Sequence, residues 1–321
     1  MDKSLRIVFL GTPDFAVASL KAMIEDGWNV VGVITAPDKK AGRGRKVQQS
    51  AVKTFAENHE LKVLQPTNLK DFGFQSELKA LNADLQVVVA FRMLPEAVWN
   101  MPSLGTFNLH ASLLPNYRGA APINWAIING ESKTGVTTFF LKHEIDTGDV
   151  LFQEEVEISD RETAGSLHDK LMQVGSELVV KSLNAIQIGN YQLKSQREIE
   201  QGTIKVAPKI FKEDCLIDWE QNAVEVDQMI RGLSPYPTAW SKIIELESNE
   251  QSSLKIFNCL ISNDTIELKP GEVKVLDKRI LIGTKSKPLE ITDLQLAGKK
   301  RMLAKELLNG FDLSNYKCEI E

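Results

Sequence analysis

Three polar residues of the chain, Asn108, His110 and Asp146, have the chemistry to act together on a carbonyl group. They supply an amide, an imidazole and a carboxylate, and neither a cysteine nor a set of metal ligands accompanies them. If Gly105–His110 forms a strand, its two-residue period places Asn108 and His110 on one face and the apolar residues on the other. The amide and the imidazole are therefore predicted to share a cleft suited to acyl transfer onto a nucleophile.

Each of these side chains has a role in such a transfer. Asn108 can donate its amide hydrogens to the oxyanion that develops when the carbonyl is attacked. Histidine titrates near neutrality, so His110 can stabilise that oxyanion when protonated or pass a proton to the leaving group. Asp146, if partly desolvated, can orient the imidazole and accept a proton through water. Singly, such residues more often make turns or sit in a core, but the combination favours catalysis.

The elements that must carry these residues alternate between strand and helix. Apolar runs predict buried strands, and apolar residues at helical spacing predict helices between them. The predicted strands are Arg6–Leu10, Asn29–Thr35, Val63–Leu64, Gln86–Phe91, Gly105–His110 and Val136–Leu141. The predicted helices are Phe15–Asp26, Ser50–His59, Phe74–Ala80, Pro122–Ile128 and Thr163–Ile188. This alternation indicates an α/β fold with a mostly parallel sheet, whose carboxyl edge is where such folds bind ligands.

The rest of the chain has a different pattern. Gly189–Pro208 is polar and loses the helical period, which is typical of a linker. Short β-rich runs follow it, with one helical piece near Ala223–Leu233, and a small barrel is the natural closure for such strands. The sequence therefore predicts domains over residues 1–189 and 209–321, joined by a linker over residues 190–208.

Composition narrows the class of protein. The chain has 321 residues, of which 43% are hydrophobic, so it can bury the cores of two domains. Its three cysteines lie far apart, which indicates free thiols and a reducing compartment. No segment predicts a signal peptide or a membrane helix, and no apolar seam calls for association, so we expect a cytoplasmic monomer. The net charge of −5 gives no overall attraction to nucleic acid, so a polyanion would have to meet a local basic patch.

Two basic patches are present. Asp38–Lys46 is a glycine-rich excursion after the second predicted strand, and its cations can displace counterions from phosphates. Lys299–Arg301 lies in the second predicted domain, where three adjacent cations are equally compatible with a solvated edge. We expect the first patch to bind a polyanion. The sequence does not decide whether the second patch does so.

The first turn of the chain does not predict a dinucleotide site. Gly11 stands alone where a nucleotide fingerprint needs three glycines for the turn and for close approach of the pyrophosphate. We expect Gly11 to serve the turn between strand and helix, with an anion at the helix N-terminus as the lesser alternative. Neither a nicotinamide nor a metal is expected.

Four motifs, taken together and in order, resemble those of the folate-dependent formyltransferases. They are Gly11–Ala16, Ala41–Lys46, the run from His110 to Pro122, and Asp146–Asp149. The resemblance covers nearly the whole chain and implies a Rossmann-like catalytic domain followed by an OB-like barrel that contacts tRNA. It implies transfer of the formyl group of 10-formyltetrahydrofolate to the amino group of methionine on initiator tRNA.

The resemblance also implies which residues act. It assigns catalysis to Asn108, His110 and Asp146. It places the reduced folate beside Ser112, Leu113, Leu114, Pro115 and Phe91. It places the tRNA acceptor stem against Arg43, Arg45 and Lys46. The chain departs from the family at Phe91–Pro95, which reads Phe-Arg-Met-Leu-Pro where many members have the longer Tyr-Gly-x-Ile-Leu-Pro. The sequence therefore leaves two roles for Arg92, contact with an anionic group of the folate or of the substrate, or an exposed position in the loop.

Three other functions are compatible with the same chemistry. Formylation of an amino sugar on a nucleotide needs the same catalytic residues, but the basic segment Arg43–Lys46 and the second domain favour tRNA. Hydrolysis of formyl folate replaces the amine with water, and we expect it less because no further domain precedes Arg6. A tRNA-binding module without catalysis is disfavoured by the intact Asn108, His110 and Asp146.

Overall fold

The computed structural model describes residues 3–41, 46–199 and 202–320, and its contacts divide the chain into two compact units. The first unit comprises Met1–Gly119, Lys133–Glu157 and His168–Ala207. The second unit comprises Ala120–Ser132, Ile158–Leu167 and Pro208–Glu321. Two short segments that precede residue 168 therefore belong to the second unit.

The regular elements are numbered in chain order. The strands are β1 (Arg6–Gly11), β2 (Asn29–Ile34), β3 (Lys39–Ala41), β4 (Lys46–Gln48), β5 (Val63–Leu64), β6 (Leu85–Val89), β7 (Thr106–His110), β8 (Arg118–Gly119), β9 (Lys133–Phe140), β10 (Val150–Glu157), β11 (Val206–Ala207), β12 (Ala239–Glu245), β13 (Gln251–Ile261), β14 (Val273–Leu276), β15 (Arg279–Ile282), β16 (Leu289–Leu296), β17 (Met302–Leu303) and β18 (Tyr316–Cys318). The helices are α1 (Asp14–Glu25), α2 (Ala51–Asn58), α3 (Phe72–Ala80), α4 (Glu96–Trp99), α5 (Pro122–Ile128), α6 (Ala164–Ile188), α7 (Gln196–Ile199), α8 (Ala223–Leu233) and α9 (Ala304–Leu307), and Glu213–Cys215 forms a 3₁₀ turn. Across the three described ranges, none of the helices has the length and apolarity needed to cross a bilayer.

A seven-stranded sheet forms the centre of the first unit, with the strand order β10-β9-β7-β6-β1-β2-β5. Strands β5, β2, β1, β6 and β7 are parallel, whereas β9 pairs antiparallel with both β7 and β10. The prediction of a mostly parallel α/β sheet is confirmed. Strand β10 was not predicted, because it lies at the sheet edge and its exposed Glu154 and Glu155 interrupt the apolar pattern.

The central parallel strands β1 and β6 form where apolar residues follow one another. Residues 7–10 of β1 have no exposed surface, and every residue of β6 is buried, as expected for strands covered on both faces. At the end of β1, a Cβ on Gly11 would lie 2.6 Å from Ala16 Cβ and 3.1 Å from the Val89 carbonyl oxygen. A glycine is therefore needed there for α1 to pack against the strand end.

The predicted helices all occur, with their ends shifted by at most two residues. The largest shift is at α3, because Asp71 caps the helix by accepting the Phe74 N–H at 2.9 Å and so starts it before Phe74. The strand predicted to reach Phe91 ends at Val89, because Ala90 adopts a φ of +47°, which lies outside the extended region. These differences change the element ends but not the order of the elements.

The second unit is an antiparallel sheet with the strand order β14-β15-β16-β13-β12-β18, and β17 pairs with β16. An isolated bridge between Glu272 and Lys317 connects its two edges, so the sheet is nearly closed. Its interior is apolar and includes Trp219, Ile256 and Ile291, each at most 1% exposed. The prediction of a small barrel after the linker region is confirmed.

Segment 190–208 contains regular structure that its polar sequence does not predict. It includes α7 and β11, and β11 pairs in parallel with β8, with Val206 opposite Arg118 and Ala207 opposite Gly119. The Lys194 and Val150 backbones also exchange hydrogen bonds of 2.8 and 3.0 Å. These backbone bonds join the segment to residues 118–119 and 150, and its residues up to Ala207 belong to the first unit.

Candidate active site

Strand β7 carries Asn108 and His110 to the carboxyl end of the parallel strands. Because side chains alternate along a strand, these two face the same side. Leu109 faces α6, where a Cβ on Gly175 would lie 2.8 Å from Leu109 Cδ2. His110 is buried, whereas Asn108 is partly exposed. The strand thus presents an accessible amide beside a buried imidazole.

The imidazole of His110 is oriented by a backbone carbonyl. Its Nε2 lies 2.8 Å from the Tyr117 oxygen, and because a carbonyl only accepts, Nε2 must carry a proton. In the neutral ring Nδ1 is then unprotonated, and it lies 3.9 Å from Oδ2 of Asp146. The ring therefore presents Nδ1 to the carboxylate.

Asp146 lies between β9 and β10 and adopts a left-handed backbone with φ of +53°. Its Oδ2 accepts the Gly119 N–H at 3.1 Å. The side chains of His110 and Asp146 are only 8% and 13% exposed, so their interaction is weakly screened by water. The structure thus brings His110 and Asp146 together, although they come from separate segments.

The segment after β7, predicted to hold the folate, is anchored by its own backbone. Leu114 N–H donates to Thr137 Oγ1 at 3.1 Å, Thr137 Oγ1–H donates to the Ser112 carbonyl at 2.6 Å, and Gln153 donates to the Leu114 carbonyl at 2.8 Å. Of the four predicted residues, Ser112, Leu114 and Pro115 are buried and Leu113 is partly exposed. The accessible part of this segment is therefore the Leu113 side chain.

Phe91, the fifth residue predicted to contact folate, is partly buried and packs against an apolar core of the first unit. The adjacent Arg92 is exposed, and its guanidinium donates to the carbonyls of Pro66 and Thr67, at 3.1 Å for Thr67. Its charge also lies 5.7 Å from the centre of the Phe91 ring. Arg92 thus ties the loop after β6 to the loop after β5.

A buried glutamine adjoins this site and was not identified from the sequence. Gln196 is 2% exposed, and its Nε2 donates to the carbonyls of Asp146 and Gly148, both at 2.8 Å. Its Oε1 accepts from Nε and Nη2 of Arg118 at 3.0 and 2.6 Å. Nothing in the polar segment around Gln196 indicates these partners, whereas Gly119 and Arg118 belong to the recognised run after His110.

A cavity of about 640 Å³ adjoins the segment between β9 and β10 in the first unit. Its lining includes Trp99, Arg118, His143 and Gln196. The rings of Trp99 and His143 pack edge to face with their centres 5.5 Å apart. A cavity of this size can hold a small organic molecule.

The predicted tRNA-binding residues lie largely outside the described part of the chain. Arg43 and Arg45 fall in the gap at residues 42–45, and the backbone of Lys46 begins β4, which pairs antiparallel with β3. At the start of this excursion, Asp38 pairs with Lys53 at 2.6 Å, and the Lys53 ammonium lowers the pKa of Asp38. The base of the basic excursion is therefore attached to α2.

In the second unit, the basic cluster Lys299–Arg301 has internal partners. Arg301 Nη2 lies 2.6 Å from Asp293 Oδ2, and its guanidinium lies 4.0 Å from the centre of the Phe257 ring. The hydrogen bonds that the Arg301 guanidinium donates to the Asp293 carboxylate raise the pKa of Arg301. The Arg301 charge is thus engaged within the unit.

Taken together, the side chains at this sheet edge define a class of protein, an acyl-group transferase. A partly exposed amide can donate to an oxyanion, while a buried imidazole and carboxylate can hold and move a proton. Two family models match the chain. The formyl transferase model matches residues 5–183, and the formyl transferase C-terminal domain model matches residues 209–312. The chain therefore belongs to the formyl transferase family.

Curated relatives resemble the chain over nearly its full length. A protein of Flavobacterium johnsoniae is 53% identical over 313 residues, which cover 98% of both chains. A protein of Bacteroides fragilis is 53% identical over 314 residues, which cover 97% of both chains. Both relatives are named methionyl-tRNA formyltransferase.

Solved structures share the fold at lower identity. An N-formyltransferase of Helicobacter canadensis, in complex with folinic acid and dTDP-3-aminofucose, matches with a TM-score of 0.63 and 20% identity over 89% of this chain and 98% of its own. HypX of Aquifex aeolicus, in complex with tetrahydrofolic acid, matches with a TM-score of 0.61 and 22% identity over 95% of this chain and 47% of its own. The chain thus spans about half of HypX, and both likenesses concern the fold alone.

Proposed function

We propose that this protein transfers the formyl group of 10-formyltetrahydrofolate to the amino group of methionyl-initiator tRNA, giving formylmethionyl-tRNA for translation initiation. The observation that carries the proposal is the 53% identity, over 98% of both chains, to a relative named methionyl-tRNA formyltransferase. The chemistry at the end of β7 agrees with it, because an amide, an imidazole and a carboxylate suffice for formyl transfer to an amine.

In the proposed reaction, the neutral amine of methionine attacks the formyl carbon. A carbon–nitrogen bond forms, and the carbonyl electrons move onto its oxygen. Asn108, which is partly exposed on β7, donates its amide hydrogens to that oxyanion. When the tetrahedral intermediate collapses, the bond to the folate nitrogen breaks and the oxyanion becomes the carbonyl of the formylated amine.

The proton released by the amine must reach the departing folate nitrogen. Asp146 accepts it through water, and His110 in its imidazolium form stabilises the oxyanion or delivers a proton to the folate nitrogen. The 3.9 Å separation of His110 Nδ1 and Asp146 Oδ2 supports this division of roles, because a carboxylate so close stabilises the imidazolium. His110→Ala should therefore lower turnover strongly while changing tRNA affinity little.

The proposed folate site uses the two segments that follow β6 and β7. Phe91 and Leu113 are partly exposed and offer apolar contact to a flat pterin ring. Ser112, Leu114 and Pro115 are buried, so their proposed part is to shape the backbone on which the ring rests.

The proposed acceptor site uses the basic excursion. Arg43, Arg45 and Lys46 neutralise phosphates of the acceptor stem, and glycines 42 and 44 let the backbone follow the RNA. We assign catalysis to residues 1–189 and further tRNA contact to residues 209–321, with residues 190–208 between them. The protein is proposed to act as a cytoplasmic monomer.

A single-turnover assay tests this function. The protein is mixed with 10-formyltetrahydrofolate and with Met-charged initiator tRNA, Met-charged elongator tRNA or no acceptor. Formylation restricted to the initiator tRNA is the expected result. Release of formate without an acceptor would identify a hydrolase instead, and absence of reaction with both tRNAs would overturn the proposal.

A further inference from the structure

The amide of Gln196 makes all four hydrogen bonds available to it. Its NH₂ group donates once to the Asp146 carbonyl and once to the Gly148 carbonyl, and its oxygen accepts twice from Arg118. The side chain is 2% exposed, so water does not compete for these bonds. A buried amide with every partner satisfied holds those partners in one arrangement.

The two carbonyls that Gln196 binds are at either end of a short turn. Asp146 at its start has the left-handed φ of +53°, a conformation that costs free energy for a residue with a side chain. Gly148 at its end passes close to β9, where an added Cβ would lie 1.6 Å from the Phe140 carbonyl oxygen. By binding both ends, Gln196 holds the Asp146 backbone in the conformation that aims its carboxylate.

The amide oxygen of Gln196 is connected to the Asp146 carboxylate through Arg118 and Gly119. Its oxygen holds the guanidinium of Arg118, and the next residue, Gly119, donates its N–H to Asp146 Oδ2 at 3.1 Å. A closed ring of contacts therefore runs from the Asp146 backbone through Gln196, Arg118 and Gly119 to the Asp146 carboxylate. That carboxylate oxygen is the atom that faces His110.

We propose that Gln196 is a positioning residue that sets the carboxylate of Asp146 against His110 for formyl transfer; this inference rests on the proposed function. Gln196 binds the backbone carbonyl of Asp146 and not its carboxylate, so it acts through the turn that carries Asp146. A misplacement of about 1 Å can lower the rate of an oriented reaction by roughly a hundredfold. Loss of Gln196 is therefore expected to lower the rate of the chemical step and not the affinity for substrates.

Two substitutions separate the contacts of this amide. Gln196→Met has similar length and removes all four hydrogen bonds. Gln196→Glu keeps an oxygen for Arg118 but replaces the NH₂ group by an oxygen that cannot donate to the carbonyls of Asp146 and Gly148. Both should slow single-turnover formylation by roughly 10- to 100-fold. The dissociation constants for initiator tRNA and for 10-formyltetrahydrofolate should change by less than about threefold.

A double-mutant cycle distinguishes positioning from a general structural role. Gln196→Met is combined with Asp146→Asn, which removes the charge that is to be positioned. If Gln196 acts through the Asp146 carboxylate, its substitution should slow the Asp146→Asn enzyme by less than about threefold. Additive losses would show that Gln196 acts elsewhere and would overturn the proposal.

The matched control is Gln173→Met, because Gln173 is exposed on α6 and its amide donates to the exposed Glu177 carboxylate. Its rate of formylation should equal that of the wild type.

An unchanged rate in both Gln196 variants, or a loss confined to substrate affinity, would also overturn the proposal. If Gln196→Met does not fold, as judged by circular dichroism, the Gln196→Glu variant carries the same cycle. Failure of the wild type to formylate initiator tRNA would refute the proposed function itself and is seen before any variant is compared.

Discussion

The most direct test of the proposed chemistry is Asp146→Asn. Asparagine has the same size as aspartate, and its oxygen can still accept the Gly119 N–H that Asp146 Oδ2 accepts at 3.1 Å. The substitution therefore preserves the local hydrogen bond and removes the negative charge. What is lost is the attraction between that charge and a protonated His110.

The size of the loss follows from the separation of the two groups. At the 3.9 Å between His110 Nδ1 and Asp146 Oδ2, a carboxylate and an imidazolium attract each other by about 4 kcal/mol at an effective dielectric constant of about 20. That free energy corresponds to roughly a thousandfold in rate if it acts only in the transition state. Because part of it stabilises the ground state as well, we expect kcat to fall by roughly 10²- to 10³-fold.

Single-turnover formylation of initiator tRNA measures this effect, with tRNA affinity measured alongside. The matched control is Asp149→Asn, because Asp149 lies in the same segment but pairs with the half-exposed Lys142 at 2.7 Å. A partly exposed ion pair of this kind contributes little free energy, so the control substitution should change the rate of formylation by no more than about threefold. A loss of less than about tenfold for Asp146→Asn, or an equal loss in the control, would refute the electrostatic role of Asp146.

Three further predictions concern other parts of the molecule. Gly119→Ala should lower the free energy of unfolding in urea by roughly 2–5 kcal/mol, because φ is +127° and the new Cβ would lie 2.3 Å from the Ala207 carbonyl oxygen in β11. The control Gly189→Ala is also at positive φ but has no atom within 4 Å of the new Cβ, so it should lower the free energy of unfolding less. Arg279 lowers the pKa of Asp264 below its usual 3.8, so this carboxylate stabilises the fold above that pH and the contribution is lost as pH falls through the lowered pKa. Asp264→Asn should therefore be less stable than the wild type near neutral pH, and a difference in stability that did not shrink as the pH falls below 3.8 would contradict this. Arg43→Ala should weaken use of tRNA and reduce the slope of log affinity against log salt by about 1, and an unchanged slope would remove this residue from the interface.

Much of the fold could be predicted because it depends on local periodicity. The apolar runs Ile7–Leu10 in β1 and Val87–Val89 in β6 indicate strands buried on both faces, and the spacing in α1 and α6 indicates helices that cover them. Asn108 and His110 could be placed on one face of β7 for the same reason, since side chains alternate along any strand. Strand β10 and helix α7 were missed, because exposed polar residues leave no such period.

The sequence by itself therefore determined the order of the parallel strands and their helices, the buried faces and the side-chain chemistry at the end of β7. Only the tertiary structure decided that Asp146 faces His110 and that Gln196 binds the turn that carries Asp146. The hydrogen bonds that orient these side chains go to backbone groups, namely the Gly119 N–H, the Tyr117 carbonyl and the carbonyls of Asp146 and Gly148, and those of Asp146 and Gln196 join segments far apart in the chain. Every residue carries the same backbone groups, so sequence periodicity cannot encode which of them meet. That depends on how the chain packs.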